Sequence, residues 1–159
     1  MTGLVGLWIL FVIAVIMNGL FAGYETGFVS GNAIRLRHMA EKDHDPVAMR
    51  LARHYDNPGR LITMLLVGTN LFLIIGTVSL TAAVGGAWAT IIATPVFLFV
   101  AEVLPKSIFR LQATQLSLRL FPLIRFFDGV LRPVVAPLYW LSDGIARLCG
   151  QSGASHALL

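Results

Sequence analysis

The chain opens on an apolar run with no charged residue before Glu25, and a second uncharged run extends from after Arg60 to Glu102. A helical crossing of a bilayer takes about 20 residues, so the first run can span once and the second twice. The run lengths predict transmembrane helices over Leu4 to about Gly31, Leu61 to Ala83 and Trp88 to Ser107. Gly85-Gly86, with Ala87 and Trp88 beside it, supplies flexible backbone and an interfacial aromatic where the second and third crossings join.

Between Asn32 and Arg60 the pattern becomes amphipathic. Leu36, Met39 and Ala40, then Val47, Leu51 and Ala52, recur at helical intervals with charges between them. This predicts a helical hairpin that turns at Asp43-His44-Asp45-Pro46 and ends at Asp56-Asn57-Pro58-Gly59. Beyond Arg110 the apolar residues are interrupted by Arg119, Pro122, Arg125, Asp128, Arg132, Pro133 and Pro137. Such a strip cannot span, and short helices lying along the inner interface are expected there. Gly150 to Leu159 reads as a frayed tail. The fold class is therefore all-α integral membrane: three transmembrane helices, a cytoplasmic helical hairpin and juxtamembrane interfacial helices.

Composition agrees. With 57% hydrophobic and 13% charged residues in 159, the chain is too apolar for an ordinary water-soluble domain. The first run has no basic n-region and is followed by Glu25 rather than a small-residue cleavage site, which argues against a signal peptide. Arg35, Arg37, Lys42, Arg50, Arg53 and Arg60 lie in one loop, whereas the Gly-Gly turn has no charge. The positive-inside rule then places the loop and the C-terminus in the cytoplasm and the N-terminus outside. The net charge of +4 comes from basic residues flanking apolar spans, so lipid headgroups rather than nucleic acid are the expected partner. The single Cys149 allows neither an internal disulfide nor a thiolate metal site. His38, His44 and His54 occupy scattered helical phases and do not suggest a metal centre.

Three polar side chains interrupt the spans: Glu25, Asn70 and Glu102. Each is 8 to 10 residues from a basic residue that marks a membrane surface, Arg35, Arg60 and Arg110 respectively. If the helices continue to those residues, each polar group lies roughly 12–15 Å inward. Polar groups at that depth are costly and usually functional. Gly19, Gly23, Gly27 and Gly31 recur every four residues on the first span, either for close helix packing or to leave carbonyls open to a ligand. Pro105 cannot donate to the carbonyl of Ala101, next to Glu102. Lys106, one turn on, can pair with Glu102 or snorkel to headgroups. Asn70, in the Gly68-Thr69-Asn70 centre, offers an amide oxygen to a cation or an interhelical hydrogen bond, whereas Thr77, Ser79 and Thr81 are expected to bond their own backbone.

The candidate ligand set is thus Glu25, Asn70, Glu102, Val67 and Ala101, with Gly23, Gly27, Thr69, Pro105 and Lys106 in support. Carboxylate, amide and carbonyl oxygens suit Mg²⁺, Ca²⁺ or Na⁺ and disfavour zinc or copper. No nucleophile and base pair and no phosphate-cradling glycine loop is evident, so an enzyme is not expected.

Glu25-Thr26-Gly27-Phe28-Val29-Ser30-Gly31-Asn32, Gly68-Thr69-Asn70 and Ala101-Glu102-Val103-Leu104-Pro105-Lys106-Ser107 together resemble the DUF21 transmembrane domain of the CNNM/CorC magnesium transporters. The resemblance covers about Leu4 to Leu148, which makes residues 1–148 the transmembrane domain and 149–159 a flexible tail. It implies a dimer in the plasma membrane, the inner membrane of a bacterium, that exports Mg²⁺ largely stripped of water, with inward Na⁺ as the driving ion. The family usually has serines where this chain has Ala22 and Tyr24, Gly-Asn-Asn where it has Thr69, and Gly-Glu where it has Ala101. The family's CBS pair and further C-terminal domain are not expected in this sequence. The competing expectation is a non-transporting membrane subunit or scaffold that forms a heterodimer with a more complete relative.

Overall fold

The computed structural model describes residues 2–42, 46–56 and 58–148, all in or between helices. In chain order these are α1 (Thr2–Ser30), α2 (Ala33–Lys42), α3 (Pro46–Asp56), α4 (Pro58–Val84) and α5 (Gly86–Pro95), then a π-helical stretch (Val96–Val103), α6 (Leu104–Leu111) and α7 (Ala113–Leu148). Among the described residues three stretches are long and apolar enough to cross a membrane: Gly3–Ser30, Pro58–Val84 and Gly86–Leu111, the last combining α5, the π-helical stretch and α6. Gly85 makes the turn between the second and third at φ +88°, a region that L side chains rarely enter.

The chain divides into two compact units. The first comprises Met1–Asn32 and Leu65–Leu120. Its packing follows from small residues facing rings. A Cβ built on Gly23 would lie 2.5 Å from the Phe109 ring, and one on Gly27 would lie 2.8 Å from it. Gly19 faces Pro105 and Ala101, Gly68 faces Phe21, and Gly76 faces Phe97 and Ala14. In lipid, where apolar burial gives helices little reason to associate, such close approach is what lets dispersion hold them together. Phe11, Leu80, Ala89, Ala93, Phe97 and Ala101 complete a buried cluster, with Phe11 edge-on to Phe97 at 6.1 Å between centroids. Large apolar side chains such as Ile9, Ile16, Ile74, Val78 and Ile91 remain exposed, as a lipid-facing surface requires.

The second unit comprises Ala33–Met64 and Phe121–Leu159. Arg37 near the start of α2 pairs with Asp56 at the end of α3 at 2.6 Å, so these helices run antiparallel as the hairpin predicts. Leu36, Ala48 and Leu51 are buried in it. His54 meets Phe121 edge-on at 5.5 Å, and Arg60 reaches Asp128 at 3.1 Å, which fastens the segment of α7 after Phe121 to the foot of α4. Pro46 and Pro58 each occupy the first position of a helix, where the missing N–H costs nothing.

Two expectations change. The strip after Arg110 is largely one 36-residue helix, not several short ones, although Pro122, Pro133 and Pro137 lie inside it. The carbonyls deprived by Pro133 and Pro137 belong to Gly129 and Pro133, both exposed, so water can bond them and the helix continues. Further, α1 stops at Ser30 and the chain turns there, with Gly31 N–H donating to the Phe28 carbonyl. Helical rise therefore cannot be carried to Arg35. The hairpin turn at residues 43–45 with His44, and the expected tail with Cys149, lie outside the described residues.

Candidate functional site

Among the described residues the buried polar side chains of the first unit are Asn18, Ser79 and Ser117, and Asn18 is hydrogen-bonded to the segment that carries Glu102. It sits on α1 and is 3% exposed. Its Nδ2 donates to the Ala101 carbonyl at 3.4 Å. That carbonyl would ordinarily accept from the backbone of residue 105, which is proline. The expected free carbonyl is therefore taken up, by a side chain on another helix. The wider π-helical turn just before it, in which Leu104 N–H donates five residues back to the Phe99 carbonyl, opens the ladder around Pro105. Asn18 Oδ1 is buried and has no hydrogen-bond partner among the described residues. An amide whose nitrogen is committed and whose oxygen is left over presents a cation with a lone pair.

Glu102 adjoins this contact. Its Oε1 accepts from Lys106 Nζ at 2.9 Å, the i, i+4 pair allowed by the spacing, and both side chains are partly exposed. The Lys106 ammonium engages one oxygen of the carboxylate and offsets its charge, so a cation binding there would compete with it.

Glu25 does not share this level. Gly23 and Gly27 both abut the Phe109 ring, so Glu25 between them lies at the depth of Phe109, which is seven residues from Glu102. Along a helix that separation is about 10 Å. The depth inferred from Arg35 fails because α1 ends five residues beyond Glu25. Asn18 occupies the position on α1 level with Ala101.

Asn70 points elsewhere. Gly68 and Phe72 of α4 both meet Phe21, and Asn70 is two residues from each, about 200° around the helix. It is exposed, and its Nδ2 donates to the Leu66 carbonyl at 2.8 Å. Thr77 and Thr81 continue the same exposed stripe and bond the Leu73 and Thr77 carbonyls. Helix phase therefore turns Asn70 to a different face, and a single chain does not bring it together with Glu25 and Glu102. Thr69 bonds Leu65 on its own helix, and Val67 is partly buried. The supporting glycines pack a ring: the Gly23–Gly27 face is filled by Phe109, and α1 stays helical past Glu25, so no open carbonyls are offered there. Among the described residues no three His, Cys, Asp or Glu side chains are grouped to hold a metal ion. Asn18 had one signal in the sequence. It is seven residues before Glu25 and so on the same helical face, inside an apolar run.

Three apolar crossings, with a buried amide and a partly exposed carboxylate and ammonium pair along them, define a multi-pass helical membrane domain with polar groups held within its spans. The family model described as the cyclin M transmembrane N-terminal domain matches residues 9–158, and the chain belongs to this CNNM, or DUF21, family. It is 37% identical over 139 residues to the UPF0053 inner membrane protein YfjD of Escherichia coli K12, covering 83% of this chain and 31% of that protein. It is 30% identical over 144 residues to a UPF0053 protein of Haemophilus influenzae, covering 86% of this chain and 33% of that protein. A DUF21 domain-containing chloroplastic protein of Arabidopsis thaliana is 26% identical over 147 residues, covering 88% and 22%. The chain spans about a third or less of the length of these curated relatives.

Proposed function

We propose that this chain forms the membrane core of a CNNM/CorC-type transporter that exports Mg²⁺, with Na⁺ as the coupling ion, from a bacterial inner membrane. The observation that carries the reading is Asn18. Its amide nitrogen is spent on the Ala101 carbonyl and its oxygen is left buried without a donor, beside a helix that also carries Glu102. Hard oxygen donors at that depth suit Mg²⁺ or Na⁺. The family and the inner-membrane location named for YfjD support the setting.

Asn70 enters through a second copy. An exposed carboxamide in the middle of an apolar helix is expensive against lipid, and a homodimer that covers the Asn70–Thr77 stripe removes that cost. The basic hairpin faces the cytoplasm in this arrangement, with the N-terminus outside.

One feature favours the second reading, a non-transporting subunit paired with a related DUF21 protein: Lys106 already neutralises Glu102. Efflux separates the two. Cells loaded with Mg²⁺ and expressing the chain alone are expected to lose it faster than controls, and Asn18→Ala and Glu102→Gln are expected to remove the difference while insertion is retained. Efflux that is absent from the wild type, or unaffected by both substitutions, contradicts the transport reading.

A further inference from the structure

The second unit contains a cavity of about 430 Å³ lined by Val47 and Arg50 of α3 and by Phe121, Pro122, Arg125 and Phe126 of α7. Its character is amphiphilic. Two arginines share it with two phenylalanines, a proline and a valine. Arg37 and Arg60 in this unit are engaged by Asp56 and Asp128. The guanidinium groups of Arg50 and Arg125 have no carboxylate partner among the described residues, and both residues are exposed. Two like charges without a counter-ion on one cavity repel each other, and an anion placed between them removes that repulsion. Planar guanidinium groups match phosphate oxygens in pairs.

We infer that this cavity is a binding site for an anionic phospholipid, with the phosphate between Arg50 and Arg125 and the acyl chain along Phe121 and Phe126. The apolar lining is what selects a lipid over a free anion, because a lone phosphate gains nothing from rings and proline. Position agrees. Arg60, which opens the apolar run of α4, is tied to Asp128, two residues beyond Phe126, so this part of α7 lies where that span meets the membrane surface. Phe126 is 64% exposed, which leaves its ring open to an acyl chain. Basic pockets at that level are a recurrent form of headgroup recognition. The inference does not depend on transport.

The test uses the purified full chain in detergent micelles, titrated calorimetrically with dioctanoyl phosphatidylglycerol, dioctanoyl phosphatidylcholine and inorganic phosphate. Phosphatidylglycerol is expected to bind about tenfold or more tightly than phosphatidylcholine, the order of one charge-assisted contact. Its affinity is expected to fall with salt, a readout that needs no substitution. Arg50→Gln and Arg125→Gln should each weaken it about tenfold, Arg132→Gln should leave it unchanged, and Phe126→Ala should weaken lipid binding alone. Equal affinity for the two lipids, or an equal loss with Arg132→Gln, overturns the site. Phosphate that binds as tightly as phosphatidylglycerol and is indifferent to Phe126→Ala identifies a free-anion site and overturns the lipid assignment.

Discussion

Replacing Asn18 with leucine probes the amide contact at the centre of the first unit. Leucine keeps the branching and the number of side-chain heavy atoms but is bulkier, so the donor to Ala101 is lost while the buried position is somewhat overfilled. Pro105 ensures that the normal backbone donor to that carbonyl is missing, and the carbonyl is left unpaired inside the bundle. Interhelical hydrogen bonds in membranes average about 0.6 kcal/mol with a maximum near 1.7. The 3.4 Å length argues for the lower part of that range, and the lack of a backbone donor argues for the upper. Removing the unpartnered Oδ1 returns a fraction. A net loss of about 1 kcal/mol is expected, which lowers the unfolding midpoint by roughly 2–4 °C for a chain of this size. The assay is thermal unfolding in one detergent, followed by far-UV circular dichroism, with Asn70→Leu in parallel. Asn70 bonds a carbonyl of its own helix that already sits in the helical ladder, so its loss should cost nothing within one chain. An unchanged or raised midpoint for Asn18→Leu, or, at dilutions where the chain is monomeric, an equal fall for Asn70→Leu, refutes the reasoning.

Gly23→Val should destabilise by about 1–3 kcal/mol, because its Cβ would meet the Phe109 ring at 2.5 Å, and Gly23→Val with Phe109→Leu should recover part of the loss in the same melts. Asn70→Leu should weaken self-association measured by analytical ultracentrifugation in detergent, whereas Ile9→Ala, on an exposed face of α1, should not. Asp128→Asn removes a partly exposed ion pair to Arg60 and should cost at most about 1 kcal/mol, falling further in high salt. Burial pushes the Tyr55 phenol up from 10 to about 12. Since the folded form holds its proton more tightly, this contribution is complete below pH 10 and is lost as pH rises from 10 through 12. Tyr55→Phe should remove that part of the alkaline transition in a pH titration of helicity.

The spans, the hairpin and the glycine turn were legible because each follows from a local rule. Run length against bilayer thickness placed all three crossings within a few residues, and Pro46 marked a helix start, whereas Pro58, expected to close the hairpin, opens α4. The site was less legible because it depends on phase and on partners from another helix. Counting from Arg35 misplaced Glu25, since the helix stops at Ser30. A view along the sequence showed Asn70 at the right depth but not that Gly68 and Phe72 turn the opposite face inward. Asn18 escaped notice because it carries no charge, yet it alone supplies what Pro105 withholds from Ala101. The prolines of α7 suggested breaks, but exposed carbonyls can be bonded by water, and the helix runs through them.

Direct Mg²⁺ titration of the purified chain by calorimetry, with and without Na⁺, tests most directly whether the buried oxygens serve an ion. Saturable Mg²⁺ binding that Na⁺ shifts, and that Asn18→Ala and Glu102→Gln each weaken about tenfold, is the expected result, each substitution removing one ligand of a charged ion. Wild-type protein that is folded and dimeric yet shows no saturable binding, or binding that both substitutions leave intact, would contradict it.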